Sequence, residues 1–492
     1  MGGALLLVGL TAGGLFGYSI AAVNEALRPL NDTFTLTGLA HGALVSSLLM
    51  GALLGCVTAG RLAARYGRRS LLVWSGLLAT AGAAVAAAAP TLQTLVAGRL
   101  ILGFAVGVTT SVAPVLIAEF SPADRRGSLI ACYQLAVTVA VLAAFAIGSA
   151  LAVGGHWRLM LAVNGLPGLL QAGVVRVVVP PWMGARHPRT ETSTAPGRAP
   201  AETAGLVRCL RDPSLRRPVV VACGAALMSA CVGVGAVTYY STFVFGIAGF
   251  HGRGSAEVAS LTVGAVNTVA TVVGMWLIRR FRRKAVLSAG LTGIAVSLAV
   301  AGWSLWASVR ASTGPVTVAA LLAFMACYAF SVGPIGWLLV AEVLPRRIRD
   351  RMAATATSMN WSANLLIALL FPLAVGTPGD PARVGAAFLF FSIVSLGFLA
   401  FTRGCVPETR NRSLTSLEAE LTEGVGGPSG RRRPTLAPHD CPVDDPRVTG
   451  QPRADRCCQA GHARFQSPKP LPTATVSLPP VTWNTSPTRA WW

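Results

Sequence analysis

The chain has 492 residues, 53% of them hydrophobic and 12% charged, with a formal net charge of +22. A soluble domain carries about twice that share of charge, so this much apolar surface is expected to have lipid as its solvent. The positive balance would suit nucleic acid, but it sits in short clusters between apolar stretches, which excludes that partner and leaves a lipid bilayer.

An apolar segment of about 20 residues crosses a bilayer as a helix, because a helix satisfies every backbone polar group internally. In chain order the apolar stretches predict spans over 3–24, 41–60, 71–89, 95–117, 129–151, 159–179, 218–246, 259–278, 285–308, 316–341, 352–374 and 384–403. The first begins at residue 3, with no basic segment before it and no small-residue cleavage site after it. It reads as a retained helix rather than a signal peptide. Asn31-Asp32-Thr33 follows as a glycosylation sequon, whereas Asn360-Trp361-Ser362 and Asn411-Arg412-Ser413 fall in a span and on the basic side.

Basic residues mark alternate loops. Arg61, Arg65, Arg68 and Arg69 lie between spans 2 and 3, and Arg125 and Arg126 between spans 4 and 5. Arg279, Arg280, Arg282, Arg283 and Lys284 lie between spans 8 and 9, and Arg346, Arg347, Arg349 and Arg351 between spans 10 and 11. The intervening loops carry single arginines such as Arg28, Arg158 and Arg383. Positive loops stay cytoplasmic, so both termini are expected there. The membrane itself is left open between the plasma membrane and an endomembrane of perinuclear or Golgi type.

The expected organisation is a six-helix bundle over 1–179, a polar cytoplasmic linker over 180–217, a second six-helix bundle over 218–404, and a cytoplasmic tail over 405–492. The tail is rich in Pro, Arg, Ser and Thr and is expected to be disordered beyond about residue 423. The two bundles share a phrase. Ala118-Glu119, Pro122 and Arg126 recur as Ala341-Glu342, Pro345 and Arg349, and the cluster Arg65-Tyr66-Gly67-Arg68-Arg69 has its counterpart in Arg280-Phe281-Arg282-Arg283-Lys284. Repeated halves with the same order of helices and charges point to a transporter whose path lies between the halves.

Gly51 with Gly55, and Gly103 with Gly107, place small faces one turn apart for close helix contact. Pro114, Pro334 and Pro372 interrupt helical ladders, and Gly333-Pro334 in span 10 is the expected hinge. The ten cysteines show no metal spacing; most lie in spans as small apolar residues, while Cys405 and Cys457-Cys458 are candidates for lipidation. With six His, no catalytic constellation and no nucleotide-binding glycine loop, the chain does not read as an enzyme, and no cofactor is expected.

At this point residues 3 to about 421 resemble the sugar porter branch of the major facilitator superfamily. Gly13-Gly14-Leu15-Phe16-Gly17-Tyr18 resembles its first helix. Arg99, Gly103 and Gly107, with Pro114, Glu119, Pro122 and Arg126-Gly127, resemble its fourth helix and the loop after it. Trp157-Arg158 resembles the start of its sixth helix, Gly333-Pro334-Ile335-Gly336-Trp337 its tenth, and Asn360-Trp361-Ser362-Ala363-Asn364 its eleventh. Pro407-Glu408-Thr409-Arg410 resembles its closing motif. Within the branch, Gly249-Phe250-His251-Gly252 and Ala329-Phe330-Ser331 resemble the class III facilitative glucose transporters.

The resemblance implies an all-α membrane protein of the major facilitator fold, with twelve transmembrane helices in two pseudo-symmetric halves. It implies a small uncharged sugar-like substrate and a monomeric carrier. A sugar offers many hydroxyls and no charge, so its site needs amides and an aromatic wall rather than an ion pair. Gln134, Asn267, Asn360 and Asn364 match the family's sugar-binding amides, and Trp337 its stacking ring. On the residues alone, each amide serves equally as an interhelical hydrogen-bonding group, worth about 0.6 kcal/mol on average, and Trp337 as a packing residue. The resemblance also implies that Glu119 and Glu342, with Arg99, Arg126 and Arg349, bridge the halves at the cytoplasmic side when the carrier faces outward.

Three departures modify the expectation. Proton-coupled sugar porters carry an acid after the Phe-Gly-Tyr triplet of helix 1; here the residue is Ser19, and the nearest acid is Glu25, near the outer end of that span. The amides expected along helix 7 are Ser229, Ala230, Val234 and Ala236, although Tyr239 and Tyr240 offer substitutes. Each neutral hydrogen bond removed costs roughly 0.5–1.5 kcal/mol, so affinity falls or preference moves to a less hydroxylated solute such as dehydroascorbate. The loop motifs also differ: Ala64 replaces an acid, Arg279 stands at its counterpart, Arg282 replaces a glycine, and Asp350 replaces the glycine after Arg349. The leading expectation is facilitative uniport of a hexose such as glucose. Proton-coupled symport, a non-transporting sugar sensor and an organic-ion carrier stand as alternatives.

Overall fold

A chain this apolar can bury its backbone polar groups in lipid only by closing them into helices. The computed structural model describes residues 2–34, 38–152, 154–184, 206–239, 255–307, 314–345, 347–375, 380–410 and 412. The helices are α1 (Gly2–Phe34), α2 (Gly38–Tyr66), α3 (Arg68–Ala87), α4 (Leu92–Phe120), α5 (Ala123–Ala152), α6 (Trp157–Val163) and α7 (Gly165–Val178). After them come α8 (Leu206–Arg211), α9 (Pro213–Cys231), α10 (Val234–Tyr239), α11 (Ser255–Arg280) and α12 (Arg283–Ala307). The last four are α13 (Gly314–Phe330), α14 (Val332–Glu342), α15 (Arg349–Val375) and α16 (Pro381–Cys405).

Among the described residues, twelve stretches are long and apolar enough to cross a membrane, with α6–α7, α9–α10 and α13–α14 each counting as one. The expected twelve-span, all-α fold is therefore present. Helix α8 and the start of α9 fall inside the stretch read as a polar linker, 180–217. Residues 185–205, Tyr240, the Gly249–Gly252 motif, Cys457-Cys458 and the tail beyond 412 lie outside the described residues.

The seventh span was expected unbroken over 218–246, but it is interrupted at Val232 and Gly233. Gly233 has φ +95°, and a Cβ there would lie 3.0 Å from the Phe391 ring, so glycine is required on two counts. The tenth span breaks at Ser331, just before Gly333-Pro334. Pro334 then sits in the first turn of α14, where its missing N–H has no intrahelical partner to lose. Pro114 stays inside a continuous α4.

In the first half α1 packs on α5, α2 on α4, and α3 on both α4 and α7. The glycines of α2 and α4 interlock: a Cβ at Gly51 would meet the Leu100 carbonyl oxygen at 2.2 Å, and one at Gly107 the Ala52 oxygen at 2.0 Å. In the second half α12 packs on α13 and α16, and α9 on α14 and α15. The halves meet through α2 against α15 and α5 against α11, with α14 reaching α4 and α5. Large apolar side chains are exposed on α3, α7, α12 and α16, among them Trp74, Leu170, Trp303 and Ile393. An outward belt of this kind suits lipid, which solvates it without cost. The inner helices α1, α4, α9 and α14 are left to position chemistry between the halves.

Candidate functional site

At the centre, a run of rings ties the halves together. Trp337 of α14 meets Phe16 of α1 at 6.0 Å and Tyr133 of α5 at 6.2 Å between ring centroids, both edge-on. Phe16 in turn meets Trp361 of α15 at 5.5 Å. Edge-on pairing sets a positive ring rim against a negative face. The Trp361 indole N–H donates to Thr110 Oγ1 of α4 at 3.3 Å.

Two sequence-predicted amides flank this run. Gln134 is buried beside Tyr133, with its Nε2 3.3 Å from the position a Gly333 Cβ would take on α14. Its Oε1 is buried with no hydrogen-bond partner. Asn360, adjacent to Trp361, donates through Nδ2 to the Ala226 carbonyl of α9 at 2.8 Å. Its Oδ1 accepts from Asn364 Nδ2 at 3.2 Å, which is the contact that the four-residue spacing on one helical face allows. Gln134, Trp337, Asn360 and Asn364 thus share one neighbourhood of α5, α14, α9 and α15. Asn267 is half-buried on α11, which packs on α5; among the described residues its Oδ1 is likewise buried and unpartnered. A buried carbonyl-type oxygen without a donor costs on the order of 1–3 kcal/mol, so Gln134 and Asn267 fit a ligand that brings hydroxyl donors.

The helix 7 positions add little polarity. Ser229 donates back to the Ala225 carbonyl at 3.2 Å and sits against Gly336, while Ala230 and Ala236 are buried. In α1, Ser19 is fully buried and its hydroxyl donates to Asn164 Oδ1 at 3.0 Å, at the break between α6 and α7. Glu25, one helical turn and a half further along α1, packs on Gly148 of α5.

The basic ends of the helices carry a second arrangement. Arg68, at the start of α3, bridges to Glu119 at the end of α4 within its own half. It also reaches across to Asp350 of α15, with Nε 3.1 Å from Oδ1 and Nη2 3.0 Å from Oδ2. Arg283, at the start of α12, bridges to Glu342 at the end of α14, and Arg126 reaches the same carboxylate from the other half at 3.8 Å. Arg126 and Arg349 also hold matching backbone carbonyls: Arg126 Nη2 donates to Ser121 at 3.4 Å, and Arg349 Nη2 to Leu344 at 2.9 Å. The repeated sequence phrase is therefore a repeated structural device.

Arg99 does not belong to it. It is buried near the opposite end of α4, donating to the Leu44 carbonyl at 3.0 Å. The 20 residues separating it from Glu119 span about 30 Å of helix. A buried arginine and a cluster on the same helix look adjacent in motif space because the motif runs the whole length of the span.

Sequence reasoning treated Arg68 and Arg283 as topology anchors and Asp350 as a departure from pattern; the structure makes all three bridging residues. The available signal was the position of Arg68 and Arg283 within the repeated basic clusters. The closing motif supports the same device. Glu408 accepts from the N–H groups of Arg283 and Lys284 at 3.2 Å and 3.3 Å, capping α12 where its dipole favours a negative charge. Thr409 Oγ1 accepts from Arg283 Nη1 at 2.8 Å. At the other end, Asn24 Nδ2 of α1 donates to the Thr238 carbonyl of α10 at 3.2 Å. Among the described residues this contact is a neutral hydrogen bond, whereas those at the basic end are charged bridges. Asn31 is exposed in the last turn of α1, at the end away from the basic loops.

Residues 5–421 match the family model described as "Sugar (and other) transporter". The glucose transporter GlcP of Staphylococcus epidermidis is 28% identical over 440 residues, covering 86% of this chain and 98% of GlcP. The galactose-proton symporter of Escherichia coli is 30% identical over 434 residues, covering 84% of this chain and 93% of the symporter. Among solved structures, the proton:xylose symporter XylE bound to 6-bromo-6-deoxy-D-glucose superposes with a TM-score of 0.72 at 22% identity, covering 85% of this chain and 98% of XylE. These relatives and neighbours are transporters rather than enzymes.

Proposed function

Because the chain belongs to the sugar (and other) transporter family, we propose that it moves a hexose such as glucose, or a related solute such as dehydroascorbate, down its gradient by alternating access. Gln134, Asn267, Asn360 and Asn364 hydrogen-bond the substrate hydroxyls, and Trp337 forms the apolar wall. The two halves rock about this site while the bridges at the basic end break and re-form. The basic end is cytoplasmic, as are both termini, Asn31 is the glycosylated residue on the outer side, and the carrier works as a monomer in its bilayer.

Ser19 is the observation that carries the uniport reading. A neutral hydroxyl, which carries no exchangeable charge, fills the place where the resemblance puts a carboxylate in proton-coupled members, and it donates to Asn164. A carboxylate in the bilayer interior costs about 2.5–3.5 kcal/mol on insertion scales, so a carrier that needs none has reason to lack one. Within the family, the resemblance to the class III facilitative glucose transporters supports a passive carrier, and the loss of helix 7 amides supports a substrate with fewer hydroxyls.

Proton symport is the second reading, favoured by the names of the galactose-proton and xylose relatives, with buried Glu25 of α1 as the acid. Uptake of radiolabelled hexoses and dehydroascorbate into proteoliposomes, with and without an imposed pH gradient, separates the readings. Saturable uptake indifferent to the gradient supports uniport; uptake that collapses when a protonophore is added supports symport; binding without flux would replace both with a sensor.

A further inference from the structure

A cavity of about 570 Å³ opens at the basic end where α1, α5 and α11 come together. Arg125 and Ser128 line it from the first half, and Arg279, Arg283 and Arg410 from the second; no acidic residue is among the described lining residues. Arg283 is buried, and its Nε has no hydrogen-bond partner. Its Nη2 lies against Gly127, 2.6 Å from where a Cβ would be, so a glycine is what lets the guanidinium reach the cavity wall there. Arg410 is locked in place by donating to the carbonyls of Arg279 and Arg280 at 2.7 Å and 2.9 Å.

Every charged side chain among the described lining residues is an arginine. Glu342 is one carboxylate between two buried guanidiniums, Arg126 and Arg283. Arg125 and Arg279 then add further positive charge from opposite halves across the cavity. Like charges facing each other at a closed interface favour its opening, and an anion between them reverses the sign. Planar guanidiniums match the oxygens of a phosphate group in particular.

We propose that this cavity binds a phosphate-bearing anion that bridges Arg125 and Arg279 and so holds the basic end of the carrier closed. The phosphate comes either from an anionic lipid headgroup entering between α5 and α11 or from a soluble phosphate. By linkage, a ligand that prefers the closed arrangement raises its population, and opening expels the ligand. The device acts through the halves themselves and is independent of which sugar is carried.

Hydrogen–deuterium exchange tests it on the full chain in nanodiscs, read at residues 123–134 and 276–286. Three conditions are compared: phosphatidylcholine alone, phosphatidylcholine with phosphatidylglycerol, and phosphatidylcholine with inorganic phosphate. Exchange slowed about fivefold or more by phosphatidylglycerol alone assigns the site to a lipid headgroup; slowing by inorganic phosphate assigns it to a soluble anion. In either case the effect is expected to vanish in the double variant R125Q/R279Q and to survive in R279K, which keeps the charge. In phosphatidylcholine alone the double variant should exchange no faster than wild type, since removing the facing charges relieves repulsion, which establishes that it is folded. No slowing under either anion, or slowing that persists in R125Q/R279Q, overturns the proposal. The readout is helix protection rather than sugar flux, so a wrong substrate assignment leaves the test intact.

Discussion

Arg68 of α3 grips Asp350 of α15 through two parallel hydrogen bonds of 3.1 Å and 3.0 Å, joining the first half of the molecule to the second. The same guanidinium also meets Glu119. A planar fork that serves two carboxylates from different halves is a latch, and releasing either carboxylate leaves the other to hold Arg68.

Removing Asp350 should loosen this latch without unfolding the protein. Its side chain is 40% exposed, so solvent screens the pair and the coupling is at most about 1 kcal/mol. A double-mutant cycle over Arg68→Ala and Asp350→Ala, read by the rate at which a thiol reagent reaches a cysteine placed beside Gln134 between the halves, should give a coupling of that size. Strictly additive effects would show that the two side chains touch without acting together.

Glu342 should behave differently. It is 2% exposed and sits between two guanidiniums that are themselves buried. Glu342→Gln leaves those charges without their counter-ion, a change that costs about 3–5 kcal/mol. The variant should melt well below the parent protein and show its basic end open. A melting temperature equal to the parent's would mean that the cluster is not held closed by this carboxylate.

For the central site, Gln134→Ala and Asn360→Ala are each expected to lower uptake at low substrate about tenfold, equivalent to ~1.4 kcal/mol. Asn360→Ala also removes the partner of the Ala226 carbonyl, so its effect should include a lowered thermal midpoint, whereas Gln134→Ala should act on uptake alone. Undiminished uptake in both variants would move the substrate away from α5 and α15.

Gly233→Ala tests the break in the seventh span. A side chain at φ +95° costs roughly 1–2 kcal/mol, and the Phe391 ring stands in the way. The substitution should depress both the melting temperature and the uptake rate. A variant with parental stability and flux would show that the break between α9 and α10 is not a fixed feature.

Proton coupling can be probed at the two positions of α1 that differ in chemistry. If Ser19 marks a passive carrier, Glu25→Gln leaves uptake unchanged, and a protonophore has no effect on the parent protein. Loss of gradient-driven accumulation in Glu25→Gln would instead make Glu25 the coupling acid.

Much of the fold was legible because it follows from composition. Segments with this little charge have to become helices in lipid, and basic clusters had to fall between them, so the number of spans and the two-fold phrase around Glu119 and Glu342 could be read directly. The amide pair Asn360 and Asn364 was legible for a similar reason, since four residues of helix bring one side chain above the other. Span 7 was less so: its break depends on Gly233 meeting a ring from α16, and nothing local announces that contact.

The sequence alone determined which segments enter the membrane and which residue types could serve a neutral, hydroxyl-rich solute, because both depend on local hydropathy and chemistry. Only the tertiary structure decided which charges meet. It set Arg99 about 30 Å along α4 from the acid its motif suggested, and it joined Arg68 to Asp350 and Arg126 to Glu342 across the halves. Ion pairing depends on distance through space, and helices packed side by side bring together residues that the chain order keeps far apart.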